Sequence, residues 1–388
     1  MKNLFKKSIY AATALLVAAS AACSDDKGSE APDADVRETA LKSVAADFVN
    51  KTVVPTYRSL ADACIELQAS CEAMLEAYDE GALTDERIRT AGDDWKRARQ
   101  YWEWSEAFLF GAASDYDIDP HIDSWPLDLN ALQSMVLNNA QTMAYIEQNP
   151  DFVSTLGFGL LGFHALEYML FAEGGTRAAR TLDRPQLVYL VGVANDLCNQ
   201  CVRLEAAWCG GIDAVSETKR TILEDAELDE VEDYGGYMLD AGQVGSRYKS
   251  YTEVGEEMLQ GCIDIATEVG SQKIGRPANG TSEEDINYIE SPHSYNSRQD
   301  FVDNIISIRN AYEGSNAGDA SIGDWIASVN PTLDKEVREA IAEAIAKIEA
   351  CPAPFVKTRT DQRWKEAAEY CNVDLVRALT RAQDELTK

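Results

Sequence analysis

Histidine is the scarcest of the chemically versatile residues in this 388-residue chain, with only His121, His164 and His293 present. That poverty excludes several catalytic classes. The helical zinc-peptidase signature H-E-x-x-H is absent, and the inverted form H-x-x-E-H fails because position 168 is Tyr. A di-iron bundle, which needs two E-x-x-H motifs, lacks the histidines. No serine or cysteine stands in a nucleophile signature. Basic residues are also few: 35 Lys and Arg against 66 Asp and Glu give a net charge of −31 at pH 7. A surface so acidic repels phosphate backbones, which excludes nucleic acid as a partner, and it weakly concentrates cations. Beyond the N-terminal segment no apolar run approaches the roughly 20 residues of a spanning helix. No segment alternates with the period of a half-buried strand.

The N-terminus stands apart. MKNLFKK is basic, SIYAATALLVAAS is apolar, and Ala21-Ala22-Cys23 closes the stretch with small residues before a cysteine. The pattern resembles a bacterial lipoprotein signal, which implies cleavage of residues 1–22 and lipid on Cys23. Ser20 stands where leucine is more usual, and ordinary secretory cleavage nearby is the alternative. Loss of Lys2, Lys6 and Lys7 with the signal takes the net charge to −34. Residues 23–34 read as a polar tether, and their acidic start resembles the surface-export signal of outer-membrane lipoproteins. The eight cysteines that remain are an even number, which permits disulfides outside the cytoplasm without assigning any. Cys64 and Cys71, seven apart in a helical pattern, lie about 10 Å from one another, too far to bridge. Cys198-x-x-Cys201 has no second such pair and no preceding strand, so it reads as a helix-face pair.

Helical periodicity covers residues 36–50, 55–78, 85–111, 127–148, 156–172, 184–208, 251–273, 297–312, 333–349 and 361–386, with an interruption at Pro55 and Thr84 as an N-cap. The fold class is therefore all-α. Helices of this length and number suggest two four-helix-bundle-like domains packed side by side, residues 35–212 and 213–388, with the acidic, glycine-rich span 210–245 as the boundary region. Residues 114–128 break the pattern with five aspartates and two prolines and read as an ordered loop. Asp115, Asp117 and Asp119 begin like a calcium loop, but Pro120 and Pro126 occupy the positions that need Gly and Glu. A solvated acidic loop is the simpler reading.

The most informative stretch is residues 156–171, LGFGLLGFHALEYMLF, where only His164, Glu167 and the Tyr168 hydroxyl are polar. A helix so apolar must be buried. His164 and Glu167, three residues apart, sit roughly 60° apart around the axis and about 4.5 Å along it, so both address one point outside the helix. An unpaired buried carboxylate would take up a proton, so a cation, a metal ion or a hydrogen-bond network must face it. Candidate partners lie in residues 85–111, where Trp95, Arg99, Trp102 and Glu106 share one helix face. Arg99 is placed to neutralise Glu167, and Glu106 to hold the His164 ring or to join it on a cation. The competing reading is a salt-bridged network that only fixes helix packing. His121 and His293 read as loop histidines, the second with a claim to line the cleft.

These residues also carry a resemblance. W-x-x-A-R-x-x-W-E-x-S-E-A-F-L-F-G from Trp95 to Gly111, Trp125-Pro126-Leu127, and G-F-H-A-L-E-Y-M-L-F from Gly162 to Phe171 resemble the imelysin family, whose hallmark is G-x-H-x-x-E. The likeness continues through Lys273-Ile274-Gly275-Arg276-Pro277, Glu290-Ser291-Pro292 with Ser294, and Asn304 to Gly314. It implies two helical bundles with a functional cleft where they meet, an envelope location and an association with iron acquisition. The first functional reading is an outer-membrane, surface-exposed lipoprotein of iron or haem acquisition that binds a divalent metal ion, iron or zinc, or a ligand carrying one, through His164, Glu167 and Glu106, with Arg99, Trp102, Gly162 and Trp125 in support. Its partners would be the membrane and iron or haem transport components. The second is a metal-dependent peptidase using Glu167 and Glu106, after the activity for which the family was named. The third is an interaction protein with a purely structural H-x-x-E network.

Overall fold

In the computed structural model, which describes residues 34–388, helix α1 (Ala34–Asp47) passes through a π-helical turn at Phe48–Val53 into α2 (Val54–Asp79). The interruption expected at Pro55 is thus a widened turn and not a break. Proline has no N–H to donate, and its place at the start of α2 removes the demand for one. The remaining long elements are α3 (Asp85–Glu103), α4 (Gly162–Leu170), α5 (Arg184–Cys209), α6 (Tyr251–Glu268), α7 (Ser297–Glu313), α8 (Ile322–Val329), α9 (Pro331–Glu349) and α10 (Val376–Leu386). Thr84 caps α3 by accepting from the Arg87 N–H. Asp183 and Gln186 form a reciprocal capping box at the start of α5. Among the described residues the one strand pairing joins Phe171–Ala172 to Gly175–Thr176, so the chain is all-α.

On α2 the buried residues Tyr57, Leu60, Cys64, Leu67, Cys71 and Met74 follow three- and four-residue spacing, the stripe that a helix needs to pack on one side. That helix lies against α3 and α5, and α4 also packs on both. A second group forms where α6 meets α7 and α10, and α9 meets α7, α8 and α10. The first helix of the 35–212 half belongs with this second group, since α1 packs on α6 and α8. The groups share one continuous apolar core within a single compact unit. They touch where α7 crosses α3 and where α6 and α7 cover the short turn Glu106–Phe108.

Two expected helices near the site are shorter than their periodicity, and an expected loop is partly helical. Residues 85–111 stop being α-helical at Glu103, where the Trp102 carbonyl accepts both the Ser105 N–H at 2.8 Å and the Ser105 hydroxyl at 2.6 Å in a tightened last turn. Glu106 therefore sits in a 3-10 turn. Residues 156–172 make a 3-10 turn at Phe158–Leu160 and become α-helical only at Gly162, whose φ is 68°. Residues 114–128 are not a bare loop, since Ala112–Asp115 and Ile118–Ile122 form short helices. The eight described cysteines are all free thiols, with Cys64 and Cys71 both buried on α2. No described helix is long and apolar enough to cross a membrane. The signal, Cys23 and nearly all of the tether lie outside the described residues.

Candidate functional site

Where the end of α3 meets α4 and α7, the apolar core gives way to charge. Arg99, Glu103, Asp123, His164, Glu167, Lys273, Glu290 and Asp300 are each at most 3% exposed, and Glu106 is 7% exposed. Arg99 and Glu103 come from the last turns of α3, Asp123 follows Ile118–Ile122, and His164 and Glu167 stand on α4. Lys273 closes the π-helical turn Val269–Lys273, Glu290 lies in the loop before α7, and Asp300 is on α7. The Arg99 guanidinium pairs with Glu103, with Asp123, and with Glu290 at 2.5 Å. Asp123 also accepts from the Trp102 indole N–H at 2.8 Å. Lys273 Nζ lies 3.0 Å from Glu290 Oε1, 3.3 Å from Glu106 Oε1 and 3.9 Å from Glu103 Oε2. Asn304 on α7 donates to Glu103.

Six carboxylates thus enclose two permanent cations, and the electrostatics record the imbalance. Burial pushes the Glu103 and Glu106 carboxyls well above their ordinary range, against the pull of Arg99 and Lys273. Burial likewise raises Asp300 to about 6. Asp123 goes the other way: burial opposes its charge, but Arg99 and His164 outweigh it and hold the carboxyl well below the usual range.

His164 is the least satisfied member. Its Nε2 is 3.1 Å from Asp123 Oδ1 and its Nδ1 is 3.6 Å from Glu167 Oε2. Neither contact is aligned as a hydrogen bond, and Glu167 Oε2 and Glu290 Oε2 also lack an aligned partner. Burial alone would lower the imidazolium, but the flanking carboxylates lift it to about 9. Glu167 is fixed from behind, because its Oε1 accepts the N–H groups of His293 and Ser294 at 2.8 and 2.7 Å and the Ser294 hydroxyl at 2.8 Å. Its Oε2 lies on the Nδ1 side of the ring, and Asp123 lies on the Nε2 side.

The raised value has a sign. A group at about 9 when folded and 6.5 when unfolded contributes stability that is complete below pH 6.5 and is lost as pH rises through 9. The denaturation midpoint of the wild type should fall across that window, while that of His164→Gln should not. Equally flat profiles would show that the imidazole is not held charged.

The face read from the sequence does meet α4: Arg99, Trp95 and Trp102 are buried, and the Trp95 indole donates to the Phe163 carbonyl at 2.9 Å. Its partners differ from expectation. Arg99 holds Asp123, Glu103 and Glu290 and not Glu167, which has three donors from the 293–294 backbone and side chain instead. Glu106, displaced from the helix face by the turn at Ser105, joins Lys273 and not His164. Trp125 packs with its ring centroid 6.2 Å from His164 and 5.0 Å from the Lys273 ammonium. Gly162 lies against the Ile122 backbone. His121 is drawn away to Asp196 at 2.7 Å, and His293 contributes its N–H while its ring packs on Tyr168. Sequence reasoning missed Glu103, Asp123, Lys273, Glu290, Asp300 and Asn304 as site residues. Most of them fell within the motifs of the resemblance, which marked their positions without their chemistry.

Two sets of donors are compact enough for a metal ion: Asp123, His164 and Glu290, and Glu103, Glu106 and Asp123, with donor atoms in each set within 4.8 Å of one another. The first set contains the unpartnered imidazole nitrogens and the unpartnered Glu290 oxygen, so its donors fit a first-row transition ion. The second holds carboxylates alone; Arg99 and Lys273 pair with members of both sets, so the imidazole is what sets the first apart.

A mixed-charge centre buried at the seam of two helix groups defines an all-α protein built to order ionisable groups in its interior. The imelysin profile matches residues 53–385, and the chain belongs to the imelysin family. It is 30% identical over 323 residues to iron-regulated protein A of Synechococcus elongatus, which covers 82% of this chain and 78% of that protein. Its fold is similar to that of a protein described as an iron-regulated protein A precursor from Parabacteroides distasonis, with a TM-score of 0.75, 26% identity, and coverage of 90% of this chain and 95% of that one. An imelysin-like protein from Psychrobacter arcticum, at a TM-score of 0.59, 14% identity and coverage of 89% and 94%, shares the fold.

Proposed function

We propose that this protein is a metal-binding component of iron acquisition, held at the outer membrane through lipid on Cys23 and working with envelope transport components. Asp123, His164 and Glu290 are the ligands in this reading, and Glu167 orients the imidazole. The observation that carries it is His164: 2% exposed, with no aligned partner on either ring nitrogen, and facing two carboxylates. In the empty site the flanking carboxylates hold the ring charged, and a metal ion would take the place of its proton between the same groups. The names of the relatives, iron-regulated protein A, point the choice of metal toward iron. Binding is favoured over peptide hydrolysis because the three donors are 0–3% exposed, which leaves no path for a scissile carbonyl to reach them. The same enclosure favours a bare ion over a haem.

Metal analysis of protein purified without chelator tests the reading. Wild type should retain about one equivalent of a transition ion, and His164→Ala and Glu290→Gln should retain none. No metal in the wild type, with no anomalous signal at the site after soaking with millimolar iron, zinc or manganese, would make the network purely structural. His164→Ala would then cost only about 1–3 kcal/mol of stability. In parallel, Cys23→Ala should move the protein from the membrane to the soluble fraction, and continued membrane association would remove the anchor.

A further inference from the structure

The chain carries a buried cation of its own between this centre and a neighbouring cleft. Beside the buried cluster lies an open cleft of about 1060 Å³ whose walls include Glu106, Asp119, Asp264 and Glu268. Glu106 belongs to both regions: it lines the cleft, and its Oε1 is 3.3 Å from Lys273 Nζ. The same ammonium is 3.0 Å from Glu290 Oε1, on a carboxylate of the inner donor set. Lys273 is itself fully buried. Its charge therefore bridges a carboxylate reached from the cleft and a carboxylate of the proposed metal site.

The two cations of the cluster are not equivalent. Arg99 is a planar fork held by Glu103, Asp123 and Glu290 at once, an arrangement that fixes its geometry. Lys273 is a compact point charge on four methylenes with freely rotating torsions. It emerges from the π-helical turn Val269–Lys273, where the regular ladder of α6 has already ended. Backbone irregularities of this type can be adjusted without unwinding the helix before them.

We infer that Lys273 is a displaceable counter-ion. With no metal present its ammonium neutralises Glu106 and Glu290, the latter at Oε1, and that charge competes with any cation that approaches the unpartnered Glu290 Oε2 together with Asp123 and His164. The inference rests on the metal-binding reading above. Lys273 then acts as a specificity-determining residue, because a tethered ammonium competes well against monovalent ions and poorly against ions of higher charge density. Its presence lowers affinity for every ion and raises the preference for multivalent ones.

The test is calorimetric titration of the full chain with Zn²⁺ and with Mn²⁺, comparing wild type, Lys273→Met and Lys273→Arg, with folding checked by circular dichroism. Removal of a unit charge a few ångströms from the donors should tighten binding by at least about tenfold in Lys273→Met, and Lys273→Arg should bind no tighter than wild type. Lys273→Gln, which can still hydrogen-bond both glutamates, replaces the methionine variant if that one does not fold, and should shift the same way. Wild type that binds while the neutral variants bind equally or more weakly overturns the inference and leaves the metal site standing. Binding by the neutral variants alone supports it, because the native lysine then outcompetes the ion. Absence of binding in all of them overturns the metal reading itself.

Discussion

Arg99→Met should cost about 3–5 kcal/mol of stability, the loss expected when one partner of a fully buried ion network is removed. The guanidinium is 0% exposed and is the shared partner of Glu103, Asp123 and Glu290. Lys273 stays near Glu290 and Glu103, but Asp123 is left with the Trp102 indole and His164. A carboxylate so placed either keeps an uncompensated charge or takes a proton. The deficit should therefore shrink as pH falls from 8 to 5, because protonation relieves the folded variant where it does not help the wild type. Urea unfolding at both pH values reads this directly. Arg97→Met is the control: Arg97 is largely solvent-exposed and pairs at the surface with Glu66 and Asp94, so its loss should cost under about 1 kcal/mol. Equal losses in the two variants would show that Arg99 is not the hub of the cluster.

The difference between these arginines was partly legible in the sequence. Periodicity marked the face of Trp95, Arg99 and Trp102 as inward, and the apolar stretch around His164 and Glu167 as buried. It located a face and could not name what faces it: Arg99 reaches Glu290 across 191 residues, and no local pattern encodes that pairing. Glu106 continued the same helical register on paper, yet the last turn tightens at Ser105, whose N–H and hydroxyl both bond the Trp102 carbonyl, and Glu106 pairs with Lys273. Asp123 was one of five aspartates in an aperiodic segment, where hydropathy carries no inside or outside. Lys273 and Glu290 are polar residues at helix ends and in loops, buried only because each meets the other's charge. Burial of that kind depends on tertiary complementarity and leaves no hydrophobic trace.

Among the described glycines, Gly162→Ala should be the most damaging exchange for alanine, with a loss above about 3 kcal/mol and failure to fold within reach. Two costs combine. At φ 68° a side chain is strained by roughly 1–2 kcal/mol. A Cβ at this position would also stand 1.9 Å from the Ile122 carbonyl oxygen and 2.3 Å from its carbon, both backbone atoms with no rotamer to change. Gly81→Ala separates the terms, because Gly81 has φ 71° and nothing within 4 Å of a new Cβ; it should pay the strain alone. The clash also has a direction. Ile122 precedes Asp123 and Gly162 stands two residues before His164, so any shift that relieves the overlap pulls Asp123 and His164 apart. A Gly162→Ala protein that still folds should therefore lose the metal affinity proposed for this pair even though every ligand is intact. A melting temperature and metal content matching those of Gly81→Ala would mean that the two backbones are not in contact. If the contact holds, the glycine that opens G-x-H-x-x-E is there to let the 122–123 backbone close onto the start of α4, which brings the aspartate to the histidine.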